Sequence, residues 1–153
     1  MVKPKKNHQK SISNRRARFD YDLKESYIAG IELTGAETRA IRQGQADLKG
    51  AYVTVKDGEL FLTNANISGS HLAPIEDTQK TRSRKLLLNK KEIKELTDTK
   101  EQGSTIVPLE IINKTRYIKV RIAKGIGKKN YDKRASLKAR DDSRNIARYI
   151  KNS

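Results

Sequence analysis

The sequence predicts a mainly β protein built around a small antiparallel barrel. Short segments that alternate apolar and polar residues recur through the middle of the chain, as in half-buried strands. Two such segments flank Lys56-Asp57-Gly58-Glu59, and Asp-Gly at this place is typical of a tight hairpin turn. Five or six short strands and two brief helices over about 105 residues favour a closed barrel, and an open sandwich is the alternative.

The first half of the barrel is predicted to contain three strands and one helix. The first strand places apolar residues at every second position, at Tyr27, Ala29, Ile31 and Leu33. A short helix follows, because Thr34 and Glu37 form a capping-box pattern and Gly44 provides a stop. The Asp-Gly turn then joins two strands, at residues 51–55 and 60–64.

The second half is predicted to add one helix and two strands. Asn89, with Glu92 three residues later, caps a helix over residues 90 to about 97. Apolar segments at residues 104–112 and 117–123 then have the composition of strands. These elements complete the predicted barrel domain, which we place at residues 14–124.

The two ends of the chain differ from this central domain. Residues 1–13 form a predicted flexible basic arm, and residues 125–153 form a predicted basic tail that begins with a flexible loop at residues 125–130. From Asp132 the composition is compatible with a helix, but apolar anchors are few: Leu137, Ile146, Tyr149 and Ile150. We therefore expect a tail that is disordered when free and becomes helical when it lies on a polyanion.

The charge is concentrated at these ends. The chain has 34 Lys and Arg against 18 Asp and Glu, a net charge of +16. Residues 114–153 alone carry 14 basic and three acidic residues, whereas residues 19–113 are nearly neutral. Basic ends around a neutral body favour binding to nucleic acid through its phosphates. A solvated charged surface is one alternative, and an anionic membrane is disfavoured because no segment combines basic and strongly apolar faces.

The residue inventory argues against an enzyme and predicts no metal and no cofactor. The chain lacks cysteine, which excludes a disulfide framework, a thiolate nucleophile and cysteine-ligated metals. The two histidines, His8 and His71, have no partner at metal-ligand spacing. The glycines at 125 and 127 lack P-loop spacing, and Glu37 and Glu92 are explained as helix-cap partners.

Membrane insertion is not predicted either. The longest aliphatic run is Leu86-Leu87-Leu88, far short of the roughly 20 apolar residues of a spanning helix. The charged N-terminus is not followed by an apolar stretch, so it does not have the pattern of a secretory signal. We expect a monomer in the cytoplasm.

Four segments, in this order, resemble the SsrA-binding protein family (small protein B, SmpB): residues 14–21, 29–37, 82–89 and 128–134. The resemblance covers about residues 10–150. It implies an OB-fold-like barrel with a few short flanking helices, which binds the tRNA-like domain of transfer-messenger RNA (tmRNA, or SsrA RNA). The family delivers this RNA to stalled ribosomes in trans-translation, so that the unfinished chain is tagged for degradation and the ribosome is released.

The resemblance also implies sites on the barrel. Family contact positions fall on Asn14, Arg15, Arg42, Leu87 and Lys119. The basic neighbours Arg16, Arg18 and Lys124 are added as candidate tmRNA contacts. Other roles remain open: Asn14 could cap a helix, Leu87 has the composition of a core residue, and Arg42 and Lys119 could be solvated surface.

For the tail, the resemblance implies a position in the empty mRNA path of the small subunit, against its rRNA. The candidate ribosome contacts are Lys128, Lys129, Tyr131, Asp132, Lys133, Arg134, Lys138, Arg140, Arg144 and Arg148. The basic residues would bind phosphates, and the Tyr131 ring would stack on a base or fold back on the barrel. Asp132 is the expected cap of the tail helix.

Two positions depart from the family pattern. The family usually has His where this chain has Phe19, and a carboxylate where it has Ile28. Because isoleucine cannot accept a hydrogen bond from a guanine edge, we expect Glu25 or Glu32 to compensate.

The leading hypothesis is therefore a non-enzymatic RNA-binding adaptor of ribosome rescue. A ribosomal protein or general RNA chaperone with an OB-like barrel is the second hypothesis, and a hydrolase acting on RNA is the third. Affinity for a tRNA-like RNA that persists at raised salt separates the first from the second, since generic phosphate binding decays steeply with salt.

Overall fold

The computed structural model describes residues 11–69, 71, 73–101, 103–128 and 130–152. Within these residues the elements are β1 (Ile12–Ser13), α1 (Arg15–Asp20), β2 (Tyr21–Ile31), α2 (Gly35–Arg42), β3 (Ala46–Asp47), β4 (Tyr52–Lys56), β5 (Glu59–Thr63), β6 (Asn66–Ile67), a 3-10 turn (Asp77–Gln79), β7 (Arg84–Leu87), α3 (Lys90–Glu101), β8 (Thr105–Ile112), β9 (Lys119–Gly127) and α4 (Asn130–Asn152). None of the helices among the described residues is long and apolar enough to cross a membrane.

A seven-stranded antiparallel sheet of the described residues forms the body, in the order β1-β8-β9-β2-β7-β5-β4. The short strands β3 and β6 pair separately. Cα atoms of β4 also approach those of β8 within 8 Å, so the sheet curves back on itself. The prediction of a small, mainly β barrel with short flanking helices is confirmed.

The predicted hairpin turn and helix caps form at the same residues whose sequence pattern predicted them. Asp57 and Gly58 have φ angles of 51° and 73°, as a tight hairpin turn between β4 and β5 requires. At the start of α2, the Glu37 N–H donates to Thr34 Oγ1 over 3.2 Å, and the Thr34 N–H donates to Glu37 Oε1 over 3.2 Å. Asn89 caps α3, since its Oδ1 accepts from the Glu92 N–H over 2.9 Å.

The sheet extends beyond the predicted bounds at both ends. Ile12 and Ser13, assigned to the flexible arm, pair with β8. Residues 125–127, predicted to lie in a flexible loop, belong to β9 and pair with residues 21–23. Gly125 allows this pairing, because a Cβ there would lie only 3.2 Å from Tyr21 Cβ. The rest of the predicted arm, residues 1–10, lies outside the described residues.

The helices differ from the predictions in three places. Helix α1 was only an open alternative in the sequence, through Asn14 as a possible helix cap, because its segment is rich in arginine and contains few apolar positions. Helix α3 extends past the predicted end near residue 97 to Glu101. Helix α4 begins at Asn130, so Asp132 lies inside the helix rather than at its cap.

The hydrophobic core lies inside the barrel. Sheet residues such as Leu60, Leu86 and Ile122 are buried there, and Ile41 of α2 and Leu96 of α3 close the core from the helices. Each fully buried Leu or Ile side chain contributes roughly 1.5–3 kcal/mol. The helices α2 and α3 are therefore held to the sheet by apolar packing.

A buried charge cluster joins α2 to β7. Glu37 and Arg84 are almost completely buried, and the Glu37 carboxylate accepts hydrogen bonds from the guanidinium groups of Arg82 and Arg84. Arg84 directs its other four N–H groups to backbone carbonyl oxygens, those of Ala65, Gln79, Lys80 and Arg82. The cluster thereby fixes the loop that precedes β7.

Candidate nucleic-acid interface

A groove of about 380 Å³ crosses the outer face of the barrel where β2 meets β7. We call it the β2–β7 groove. It brings together three of the predicted RNA-binding residues, Arg42, Leu87 and Lys119. Its other lining residues are Gly30, Ile31, Leu33, Thr38, Arg116, Tyr117 and Ile118.

Leu87 forms part of this groove and not of the core. Successive side chains of a strand point to opposite faces, so Leu86 is 2% exposed whereas Leu87 is 48% exposed. Leu87 lies opposite Gly30 of β2, where a Cβ would be only 3.2 Å from Leu87 Cβ. The core assignment that composition favoured for Leu87 is wrong, and its position agrees with an RNA contact.

Arg42 is engaged by the protein itself. Its Nη1 donates to the carbonyl oxygens of Asn113 and Thr115 over 2.9 and 3.0 Å, and its Nη2 donates to that of Arg116 over 2.6 Å. The guanidinium therefore holds the turn between β8 and β9. The sequence offered two readings, solvated surface and phosphate contact; both stay open, and a phosphate contact has to compete with these three bonds.

Lys119 and two residues missed by the sequence analysis complete the groove. Lys119 is exposed and lies opposite Gly30 on the neighbouring strand. Tyr117 is 68% exposed, and the guanidinium carbon of Arg116 lies 5.6 Å from the centre of its ring. An aromatic residue between basic residues was the available signal in the sequence.

Ile28 lies on the strand that carries Gly30. It is 50% exposed and lies opposite Arg121 of β9. The Arg121 guanidinium is 3.4 Å from the carboxylate of Glu110. Of the two proposed substitutes, Glu25 accepts a hydrogen bond from the Tyr27 hydroxyl, and Glu32 is exposed directly after the same strand. Compensation by either carboxylate stays a prediction.

Lys124 belongs to a separate cluster on β2 and β9. Its Nζ is 3.7 Å from Glu25 Oε2 and 6.0 Å from the centre of the Tyr27 ring. The Tyr27 hydroxyl lies 3.0 Å from carboxylate oxygens of both Glu25 and Glu95. Burial, then the hydrogen bonds to these carboxylates, raise the pKa of Tyr27 above its usual value. Because the Glu25 carboxylate lies within ion-pair distance of Lys124, it neutralises part of the Lys124 charge.

A second groove, of about 470 Å³, lies between α1, the segment before β4, and β8; we call it the α1 groove. Asn14 and Arg16 line it, together with Lys49 and Tyr52, which the sequence analysis missed. The Asn14 Nδ2 donates to the Pro108 carbonyl oxygen over 3.0 Å. Asn14 occupies the cap position of α1, but its side chain makes no capping hydrogen bond.

The predicted arginines of α1 present their charge to solvent. Arg15, Arg16 and Arg18 are exposed. The Arg16 Nε is 3.5 Å from Asp20 Oδ2, an exposed pair of modest strength. The structure thus places Asn14 and Arg16 in the α1 groove and Lys124 in its own cluster. Arg15 and Arg18 are exposed on α1 and line neither of the two grooves.

The start of the tail lies against α1. The Lys133 Nζ is 3.3 Å from Asp20 Oδ1, and the Lys128 Nζ donates to the Arg18 carbonyl oxygen over 3.3 Å. Tyr131 lies in the first turn of α4, and Lys129 lies outside the described residues. The remaining predicted tail cations are exposed along α4: Arg134, Lys138, Arg140, Arg144 and Arg148.

Comparison with known proteins decides the family. The family model described as SmpB protein matches residues 11–152 of the chain. The chain belongs to the SmpB family. The resemblance inferred from the four sequence motifs is thereby confirmed.

Curated and solved SmpB relatives agree with this assignment. The SsrA-binding protein of Oenococcus oeni is 44% identical over 153 residues, 99% of each chain. That of Clostridium acetobutylicum is 40% identical over 154 residues, 100% of this chain and 99% of the relative. A solved structure described as "tmRNA-SmpB: a journey to the center of the bacterial ribosome" is 41% identical, has a TM-score of 0.65 and covers 78% of this chain and 85% of its own.

Proposed function

We propose that this chain is the RNA-binding adaptor of trans-translation. It binds the tRNA-like domain of tmRNA and delivers it to stalled ribosomes, where the nascent chain is tagged for degradation and the ribosome is released. The observation that carries this proposal is the match to the SmpB family over residues 11–152. The likeness to a solved tmRNA-SmpB structure supports it.

The barrel supplies chemistry suited to a folded RNA. Protein–RNA recognition of this kind uses phosphates, 2′-hydroxyls and a few exposed bases. The β2–β7 groove combines the exposed Leu87 and Tyr117 with the cation of Lys119. The α1 groove adds Asn14 and Arg16 beside Lys49. Two such grooves on one barrel allow contact with two parts of the same RNA.

The tail supplies a second surface, for the ribosome. Helix α4 is 23 residues long and presents exposed cations along its length, including Arg134, Arg140 and Arg148. An exposed basic helix fits an RNA-lined channel, because phosphates on several sides can be neutralised at once. We assign it to the empty mRNA path of the small subunit. A ribosomal partner supports a location in the cytoplasm.

Binding of the full chain to three RNAs across a salt series tests this function. The RNAs are the tRNA-like domain of tmRNA, an elongator tRNA and an unrelated hairpin. We expect a preference of at least about tenfold for the tRNA-like domain, which persists as salt rises because shape and base contacts release no counterions.

Equal binding to all three RNAs, lost in parallel as salt rises, would contradict the proposal. That outcome would instead identify a general RNA chaperone or ribosomal protein. Cleavage of any of the RNAs by the purified chain would point to the hydrolase hypothesis.

A further inference from the structure

We infer that Tyr117 stacks on an unpaired base of the RNA in the β2–β7 groove, and that Arg42 acts by holding the turn that presents this ring. The inference rests on the proposed function, because it names contacts made within the groove assigned to tmRNA. It changes the role of Arg42 from phosphate contact to positioning residue.

The exposure of Tyr117 is the first observation. Its ring is 68% exposed, although large aromatic residues gain most from burial. Arg116 lies 5.6 Å from the ring centre and adds positive charge beside it. Aromatic rings flanked by cations are the usual platform for unstacked bases, because the ring contacts the base while the cations bind the adjoining phosphates.

The floor of the groove leaves room for a flat ligand. Gly30 contributes no side chain, and the groove beside it holds about 380 Å³. Leu87, opposite Gly30, offers an exposed apolar surface. Lys119 lies opposite Gly30 on the other neighbouring strand, so a phosphate next to the bound base has a cation at hand. The apolar floor and basic rim fit a nucleotide better than an acidic peptide, which would leave this apolar surface uncovered.

The turn that carries Tyr117 is fixed before RNA binds. Arg42 donates to three carbonyl oxygens of the turn, those of Asn113, Thr115 and Arg116. The buried Asn113 donates from Nδ2 to the Ile41 carbonyl oxygen over 3.1 Å, and the Thr115 hydroxyl donates to the Tyr117 carbonyl oxygen over 2.7 Å. The last two residues of α2, Ile41 and Arg42, thus both hydrogen-bond to the turn. Because the backbone that carries the Tyr117 ring is already held in place, little backbone freedom is lost when the ring stacks, which favours affinity.

The first test compares Tyr117 variants of the full chain for binding to the tRNA-like domain of tmRNA. We expect Tyr117→Ala to weaken binding by about 10- to 100-fold and Tyr117→Phe to bind within about threefold of the wild type, because stacking needs only the ring. The salt dependence of binding should be unchanged in both variants. Tyr149→Ala, an exposed tyrosine of α4, is the matched control and should bind like the wild type.

A fluorescent variant reports stacking directly. The chain contains no tryptophan, so Tyr117→Trp provides a single reporter, and Tyr149→Trp provides its control. We expect the RNA to quench the emission of the first variant and to leave that of the second unchanged.

Arg42→Gln and Arg42→Lys test the positioning role. Neither substituted side chain can donate to all three carbonyl oxygens with the geometry of a guanidinium, so both should weaken binding by about tenfold and reduce quenching in the Tyr117→Trp background. A positioning residue leaves the slope of log affinity against log salt unchanged in Arg42→Gln. If Arg42 were a phosphate contact, Arg42→Gln would make that negative slope shallower by about one, as we expect for Lys119→Gln.

The outcomes separate this inference from the proposed function. Wild-type binding without preference for the tRNA-like domain would overturn the function. Wild-type preference with undiminished binding by Tyr117→Ala, or an equal loss in Tyr149→Ala, would overturn the stacking inference alone. A salt slope that becomes shallower in Arg42→Gln and is restored in Arg42→Lys would return Arg42 to the role of phosphate contact. Thermal unfolding of each variant identifies any loss that comes from misfolding.

Discussion

Arg84 shows how a single polar residue can organise a segment that has little apolar content. Its guanidinium is fully buried, and each of its five N–H groups has an acceptor. Burying a charge is costly unless it is paired and hydrogen-bonded, and Glu37 provides the opposite charge. Because four acceptors are backbone carbonyl oxygens, the charge pair also fixes the course of residues 79–82 on the way into β7.

Replacing Glu37 with Gln should destabilise the protein by about 3–5 kcal/mol, because it leaves the buried guanidinium without its counter-charge. Burial raises the pKa of the Glu37 carboxyl, but the hydrogen bonds from Arg82 and Arg84 outweigh burial and hold it below its usual value. Urea unfolding at neutral pH measures the difference. Glu76→Gln, which changes an exposed carboxylate near the same loop, should leave the stability unchanged.

The same pKa direction predicts an acid response. A carboxyl group with a lowered folded-state pKa stabilises the protein above its unfolded-state pKa, about 4.3 for Glu, and this contribution is lost as the pH falls through the lower folded-state value. The wild type should therefore lose more stability than Glu37→Gln between about pH 5 and pH 3. Parallel loss in both proteins would show that Glu37 does not couple protonation to folding.

Among the elements, helix α1 connects the α1 groove, which we propose binds RNA, to the tail. Asp20, its last residue, is close to Arg16 of its own helix and to Lys133 of α4. Its carbonyl oxygen also accepts from the Lys128 N–H over 2.8 Å. Asp20 therefore both lines the α1 groove and contacts the first turns of the tail helix.

Replacing Asp20 with Asn should loosen the start of α4. A surface ion pair such as this partly exposed one contributes about 0–1 kcal/mol, so we expect the amides of the first turns of α4 to exchange with solvent up to about fivefold faster. Asp22→Asn is the matched control, since the Asp22 carboxylate pairs with Lys24 and makes no ion pair with the described residues of α4.

The charge swap Asp20→Lys with Lys133→Asp should restore slow exchange, because it rebuilds the pair in the opposite sense. If Asp20→Asn and Asp22→Asn exchange alike, or if the swap restores nothing, the pair does not hold the tail. Raised salt should shrink the difference between wild type and Asp20→Asn, since exposed charges are screened.

At the scale of the whole molecule, the barrel and the tail present separate surfaces. The core that stabilises the barrel draws on the sheet, α2 and α3, whereas the described side chains of α4 beyond residue 133 are exposed. We therefore expect the barrel to keep its fold and its RNA affinity when α4 is removed, while the ribosomal function is lost.

Deletion of residues 130–153 tests this division of labour. The bounds follow the structure, because β9 continues to Gly127 and a cut at residue 125 would remove part of the sheet. We expect the affinity for the tRNA-like domain to fall by less than about fivefold and peptide tagging on stalled ribosomes to be abolished. A full-length chain with the exposed cations of α4 replaced by Gln controls for length and should also fail to tag. Equal losses of RNA affinity and tagging would contradict the division.

Local signals in the sequence determined those parts of the fold that depend on near neighbours. The Asp57-Gly58 turn and the caps at Thr34 and Asn89 form between residues at most three positions apart, so their side-chain chemistry alone predicts them. The concentration of charge at the two ends likewise needs no fold to be recognised. Together with four family motifs, these features were enough to predict a barrel that binds RNA.

Only the tertiary structure decided which of the predicted residues line the grooves proposed to bind RNA. Leu86 and Leu87 are identical in chemistry, and the register of β7 against β2 buries the first and exposes the second. Arg42 reaches the turn at residues 113–116 although more than 70 positions separate them. Glu37 likewise reaches Arg82, before β7, and Arg84, the first residue of β7, over 45 and 47 positions. Register and long-range hydrogen bonds are properties of the assembled sheet, and no local pattern in the chain encodes them.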